Sequence, residues 1–88
     1  MYYVYMLKTR GIKSITYVGY TNNLKKRLAL HNAGKGAKFT RGRQWRLIYK
    51  EKFKSKKEAI SREYYIKTNR SLRNNIKKNC ENRHITTL

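Results

Sequence analysis

The sequence predicts an α/β protein of the α+β kind, a small three-stranded sheet with helices in the order ββαβαα. Three observations lead there. Two short aromatic and β-branched runs, Tyr2–Leu7 and Ile15–Gly19, are separated by one polar connection. Apolar residues then recur at helical spacing after Asn23, and again after Ser55. Between those helical segments Trp45, Leu47, Tyr49 and Phe53 alternate with polar residues, as in a half-buried strand.

Each element has a local reason. In the first run Tyr3, Tyr5 and Leu7 fall on one face, and Tyr2, Val4 and Met6 on the other. Lys8 to Ser14, with Gly11, reads as a polar turn, and so short a link makes the second strand antiparallel to the first. Thr21, Asn22 or Asn23 can cap the first helix, whose apolar stripe is Leu24 and Leu28. Asn23, Arg27 and His31 are four apart and share a neighbouring face. Asn32-Ala33-Gly34 stops the helix, since glycine takes the left-handed conformation a helix end requires. Ser55 and Glu58 form a capping box for a helix that carries Ala59, Ile60, Glu63 and Ile66 inward or nearly so. Asn69-Arg70-Ser71 interrupts it, and Ser71 can cap a last short helix with Leu72, Asn75 and Ile76. One domain over residues 1–79 is expected, with residues 80–88 a frayed tail.

Charge narrows the function. The 88 residues hold 23 Lys plus Arg against four Glu and no Asp, a net charge of +19. A polyanion is the natural partner, because each phosphate neutralised releases counterions. The same imbalance excludes an acidic two-metal cluster, which needs several carboxylates around ions about 3.5–4 Å apart. The lone Cys80 excludes an internal disulfide, and with two His there is no Cys/His zinc site. The longest apolar run, Tyr2–Leu7, is too short for a signal peptide or a membrane span, so a cytoplasmic, reducing compartment is expected. A domain this small buries only roughly 60% of its unfolded surface, leaving aromatics to supply much of the core.

The candidate chemistry lies in a few residues. Tyr5 and Tyr17 sit on adjacent strands, and pattern alone favours reading them as core aromatics with hydroxyls reaching the surface. Arg27 is either a solvated helix residue or a guanidinium that grips phosphate with two parallel hydrogen bonds. His31 is either a helix-end cation facing the dipole or a donor and proton carrier at phosphate. Glu63 is the best metal ligand in the chain, or else the partner of Lys67 in an ordinary i,i+4 ion pair. Glu58 belongs to the capping box, Glu51 lies in a strand among lysines, and Glu81 is in the tail. One carboxylate suffices for Mg²⁺ (or Mn²⁺), which keeps waters and takes substrate phosphate. The loop Lys35 to Arg43 spaces Lys35, Lys38, Arg41 and Arg43 with glycines, Thr40 and the aromatic Phe39. It reads as a nucleic-acid contact with a base-stacking ring, or as a solvated basic loop.

Val4-Tyr5, Tyr17-Val18-Gly19, Arg27, His31 and Glu63, in this order and on these elements, resemble the GIY-YIG nuclease domain. The stretch YVGYTNNLKKRLALHNAGKGAKFTRGRQWRLIY looks closest to its small, single-domain branch, which is similar to the nuclease subunit of structure-specific endonucleases. The likeness runs from about Tyr2 to Ile76; the first triplet stands here as Tyr3-Val4-Tyr5, so only its tyrosine carries over. The resemblance implies an antiparallel sheet flanked by helices. It also implies a Tyr17 that activates the attacking water or takes its proton, and a Tyr5 that positions the network. A free phenol has a pKa of about 10, so such a base needs cationic neighbours. An Asn on the last helix is common in the family; Asn75 is the candidate here, with Asn79 a substitute.

The expected function is therefore metal-dependent hydrolysis of DNA, with one Mg²⁺ or Mn²⁺ on Glu63 and catalysis by Tyr5, Tyr17, Arg27, His31 and Glu63. By resemblance the products carry 5′-phosphate and 3′-hydroxyl ends. Without an appended recognition domain, shape or strandedness should guide the choice of substrate, favouring single-stranded or branched DNA over a sequence. Two rivals fit the composition: a non-catalytic basic binding module, and a nuclease subunit completed by a protein partner. Glu63 separates the first, since a carboxylate in a pure phosphate-binding cleft only repels the ligand.

Overall fold

The computed structural model describes residues 1–10 and 14–86, with residues 81–86 described by their helical backbone. The elements are β1 (Tyr2–Thr9), β2 (Thr16–Thr21), α1 (Leu24–Asn32), a 3₁₀ turn over Lys38–Thr40, β3 (Trp45–Phe53), α2 (Lys56–Lys67) and α3 (Arg70–Thr86). Both strand pairings are antiparallel and the strand order is β2-β1-β3. The expected turn residue Gly11 lies outside the described residues. Its flanks are tied by Thr9, whose backbone N–H donates to Ile15 O and whose hydroxyl accepts from Ile15 N–H.

The alternation of β1 divides the core in two. Val4 and Met6 pack with Val18, Ala59 and Ile66, and Leu72 and Ile76 of α3 lean on this cluster. Tyr5, Leu7 and Trp45 form the second cluster, joined by Tyr17, Leu24, Leu28 and Leu47. The sheet is thus covered by α2 and α3 on one face and α1 on the other. The central strand is buried on both faces, which suits its unbroken apolar run.

β3 departs from the expected alternation. Met6 pairs with Tyr49, but Leu7 pairs with Leu47, so Ile48 is an extra residue at a β-bulge. The bulge sends Trp45 and Leu47 to the α1 face and Ile48, Tyr49 and Phe53 to the α2 face. One strand therefore contributes to both clusters, which a strict period of two does not produce.

The helix ends follow local chemistry, with two corrections. Asn23 caps α1 by accepting from Lys26 N–H. At its other end Gly34 has φ 77°, Gly34 N–H donates to His31 O and Lys35 N–H to Leu30 O. These two bonds make the Schellman motif, and the positive φ is why glycine stands there. Ser55 caps α2 through Glu58 N–H and donates its own hydroxyl to the Glu58 carboxylate. α3 starts at Arg70, capped by Asn69, which accepts from Leu72 N–H; Ser71 lies inside the helix instead of capping it. Nor does the chain fray at Cys80, for α3 continues to Thr86. The sequence from Arg70 onward has no Gly or Pro to break the hydrogen-bond ladder. On α2, Ala59 and Ile66 are buried but Ile60 is exposed, because residues seven apart share a face and Ile60 sits to one side of it. Among the described residues no helix is long and apolar enough to cross a membrane.

Ile66 is fully buried between α2 and the sheet. Ile66→Ala should therefore cost about 2–5 kcal/mol, a large share of the stability of so small a domain. Urea unfolding should show a lower midpoint at unchanged slope; an unchanged midpoint would mean that this face does not hold the fold together.

Candidate active site

The α1 face of the sheet gathers the aromatic and basic residues. Tyr5 and Gly19 are paired across β1 and β2, and Tyr17, two residues before Gly19, lies on the same face. A Cβ at Gly19 would stand 2.6 Å from the Tyr5 hydroxyl and 3.1 Å from the Tyr17 ring. Only glycine lets the two rings come together, with centroids 6.4 Å apart. Here the Y-V-G triplet has a steric reason.

A buried hydrogen-bond relay organises this cluster. The Tyr5 hydroxyl is 2.7 Å from His31 Nε2, and His31 Nδ1 is 2.9 Å from Thr40 Oγ1. Thr40 donates its one hydroxyl proton to Ala37 O. Its oxygen must then accept from His31 Nδ1–H, which leaves Nε2 as the acceptor for Tyr5 O–H. The proton direction is fixed along the chain: Tyr5 to His31, His31 to Thr40, Thr40 to the backbone. Burial, and secondarily the Arg27 cation, hold His31 below the usual imidazole pKa. Burial likewise pushes Tyr5 up to about 12, although the neighbouring Arg27 cation opposes the shift. Tyr5 therefore stays protonated and His31 neutral at neutral pH.

Arg27 and Glu63 both act electrostatically on the Tyr5 hydroxyl, as does Tyr17, so the four side chains share one locality. Arg27 Nε is buried and, among the described residues, has no hydrogen-bond partner. Tyr17 is half-buried and stacks on Phe39 at 6.2 Å and 23°, while Phe39 itself is 55% exposed. Glu63 has a side chain only 16% exposed and meets Lys67 Nζ at 3.4 Å, the expected i,i+4 pair. Lys67 is exposed enough for this contact to be weak and easily given up.

Two expectations are corrected. His31 does not donate to phosphate or carry a proton there directly. It is 0% exposed and both ring nitrogens are engaged, so it reaches the site only through Tyr5. Thr40 does not stand at the nucleic-acid surface. It too is 0% exposed, with its hydroxyl held between His31 and Ala37, and so serves as the anchor of the loop. The other loop residues, Lys35, Lys38, Phe39, Arg41 and Arg43, are exposed or half-exposed, as a contact surface requires. Asn75 is exposed on α3, whose Leu72 and Ile76 pack on the α2 side of the sheet, and nothing brings it into the cluster.

Some supporting residues left no signal in the sequence. Asn32 Oδ1 accepts from Trp45 N–H at 2.6 Å and its amide donates to Trp45 O at 3.0 Å, docking the end of α1 onto the start of β3. Trp45 Nε1–H donates to Thr40 O. A Cβ at Gly36 would stand 2.4 Å from His31 Nδ1, so the loop can lie against the imidazole only as glycine.

The donor set suits a metal bound lightly. Among the described residues no three His, Cys, Asp or Glu side chains cluster. Glu51 is occupied by Tyr49 and Arg62, and Glu58 by the cap of α2. Among the described carboxylates it is Glu63 that acts on Tyr5, and one carboxylate with water and phosphate is a set that Mg²⁺ accepts.

This sheet, with its paired tyrosines and helix-borne Arg and Glu, defines a small nuclease-type catalytic domain, and residues 1–78 match the family model for the GIY-YIG catalytic domain. The chain belongs to the GIY-YIG family, a family of nucleases. It is 56% identical over 68 residues to a UPF0213 protein of Clostridium perfringens, covering 76% of this chain and 71% of that one. A UPF0213 protein of Staphylococcus haemolyticus is 52% identical, with coverage of 76% and 80%. The solution structure of a UPF0213 protein from Bacillus halodurans has 38% identity and a TM-score of 0.53, covering 88% of this chain and 82% of the other.

The relay sets a pH window for stability. His31 folds with its pKa below that of the unfolded chain, about 6.5, so the unfolded state binds the proton first as pH falls. Its contribution is complete above about pH 6.5 and is lost on acidification toward the folded value. Tyr5 folds with its pKa raised, so its contribution is complete below about pH 10 and is lost as pH rises toward about 12. Urea midpoints should therefore be flat across neutral pH and fall on both sides. His31→Gln should lower stability at neutral pH and remove its share of the loss on acidification below about pH 6.5; persistence of that whole loss would exclude His31 as its source.

Proposed function

We propose that the chain is a metal-dependent DNA endonuclease that hydrolyses phosphodiester bonds and selects substrate by strandedness or branching instead of sequence. The observation that carries this is the buried, unpartnered Nε of Arg27 beside Tyr5. A buried guanidinium nitrogen without an acceptor costs stability, and a phosphate oxygen is the acceptor that chemistry here offers.

The residues divide the work by their surroundings. Tyr5, held protonated and donating into His31, orients the cluster and leaves the base role to another group. Tyr17, half-buried where Tyr5 is buried, assists deprotonation of the attacking water. Arg27 grips the phosphate before reaction and stabilises the charge that grows on it during reaction. Glu63 would hold one Mg²⁺ or Mn²⁺, which when bound supplies further positive charge to the phosphate. The family resemblance supports 5′-phosphate and 3′-hydroxyl products.

Selection by strandedness is supported by Phe39, which is exposed yet stacked on Tyr17. An unpaired base can continue that stack, whereas a base inside a duplex is already occupied on both faces. Lys35, Lys38, Arg41 and Arg43 add sequence-independent attraction for the backbone. A lone cysteine fits the reducing cytoplasm, where such a nuclease meets DNA.

Cleavage of single-stranded, duplex and branched DNA, with and without Mg²⁺, tests this function. Tyr17→Phe keeps the ring and should lower the rate by about 10²–10⁴-fold with the fold intact. Glu63→Ala should abolish cleavage while DNA binding without metal persists or tightens. Arg27→Ala should weaken both binding and turnover. Parent-rate cleavage by both Tyr17→Phe and Glu63→Ala would overturn the chemistry. Phe39→Ala should cost about 1–3 kcal/mol of binding on single strands and less on duplex; equal losses would assign Phe39 to packing alone.

A further inference from the structure

A second basic site lies at the end of the sheet that carries Tyr17. A cavity of about 320 Å³ opens between the start of β2 and the first turns of α3, lined by Ser14, Ile15, Thr16, Arg70, Arg73, Asn74 and Lys77. Among the described residues three cations, two hydroxyls, an amide and the apolar Ile15 line it, and no carboxylate does. Such a set attracts a tetrahedral oxyanion and offers nothing to a cation. Part of the lining is already held in place. Arg73 Nη1 donates to the Ile66 and Lys67 carbonyls at the end of α2. Lys77 Nζ approaches Ser14 O at 3.4 Å, a long hydrogen bond that leaves the ammonium with donors to spare. Arg70 is exposed in the first turn of α3.

Two covalent paths connect this cavity to the candidate active site. Thr16 precedes Tyr17 on β2, the strand at the sheet's edge. Lys67, whose carbonyl Arg73 holds, is one helical turn from Glu63 and paired with it. Alternation puts Thr16 and Tyr17 on opposite faces, so the cavity and the tyrosine cluster lie on either side of the β2 edge. A nucleic-acid backbone passing over that edge meets Arg27 and Tyr17 on one side and the cavity on the other.

We propose that this cavity is a second phosphate site, which binds a backbone phosphate of the substrate strand on the far side of β2 from the cut. The inference rests on the nuclease reading for its choice of DNA, but its test does not need cleavage. Arg70 and Lys77 supply the charge that the strand neutralises, and Ser14 and Thr16 supply neutral donors. Arg73 keeps α3 docked on α2, so the cavity keeps its shape. The site acts on binding and register and leaves the chemical step alone.

The experiment measures binding of a fluorescent single-stranded oligonucleotide across a salt series with divalent metal chelated. Three proteins are compared: the parent, Arg70→Ala with Lys77→Ala, and Lys52→Ala with Lys54→Ala. The last pair removes equal charge at or just beyond the end of β3, where Phe53 pairs with Tyr2, whereas Thr16 pairs with Lys8 at the other end of β1. For the Arg70/Lys77 protein the log–log slope should be shallower by about 0.7 for each phosphate that the protein no longer neutralises. The Lys52/Lys54 protein should keep the parent slope. Equal slopes in the parent and the Arg70/Lys77 protein would overturn the proposal, and so would an equal change in the two double variants, which would reduce the effect to bulk charge. Circular dichroism verifies folding, and single substitutions replace the pair if the double variant unfolds. With cleavable substrate, KM should rise while kcat holds. If no protein cleaves DNA at all, the nuclease reading fails, while the salt slopes still decide the phosphate site.

Discussion

The hydrogen-bond relay from Tyr5 through His31 and Thr40 to the Ala37 carbonyl is the constraint on which the site depends. Its side chains come from β1, α1 and the loop before β3, so it joins three separate elements through groups that water does not reach. Buried polar groups are stabilising only when every donor finds an acceptor, and here each proton has one destination. The relay commits Tyr5 and His31 inward, while Tyr17 beside them is only half-buried. Gly19 and Gly36 belong to the same arrangement, because each gives up a side chain so that a ring can lie against the backbone.

A second constraint is the scarcity of negative charge. With 23 cationic side chains and four carboxylates, each carboxylate is in short supply. Glu58 is held at the start of α2 and Glu51 joins Tyr49 to Arg62, so both are committed to the structure. Glu63 differs in the weakness of its ion pair, a single exposed lysine one turn away. A group held so loosely can change partners without disturbing the fold. The remaining positive charge repels itself, which makes this protein one whose compact state gains from bound anions.

Much of the architecture was legible because its determinants are local. The alternation of β1, the Asn23 and Ser55 caps and the Gly34 stop are each readable within a few residues. The positions of Tyr5, Tyr17, Arg27 and Glu63 followed from ordered motifs on those elements. What was hidden depends on tertiary geometry. The bulge at Ile48 is a disagreement between two strands, and neither strand shows it alone. His31 and Thr40 looked like surface residues because polar side chains usually are; their burial arises only when the loop folds back over α1. Asn32 appeared as part of a helix stop, and its second task at Trp45 requires knowing where β3 begins.

The loop from Lys35 to Arg43 is pinned at its centre and presented at its edges. Thr40 and Gly36 are locked against His31, while Lys38, Phe39, Arg41 and Arg43 are exposed, Phe39 with one face on Tyr17. Foundation and display therefore occupy different positions of one short segment. Exchanging the outward residues would change the surface that a polymer meets without touching the buried Tyr5–His31–Thr40 relay. The fold behaves as a tool with a replaceable tip, and variants differing only at those four positions would form a natural library for redirecting it.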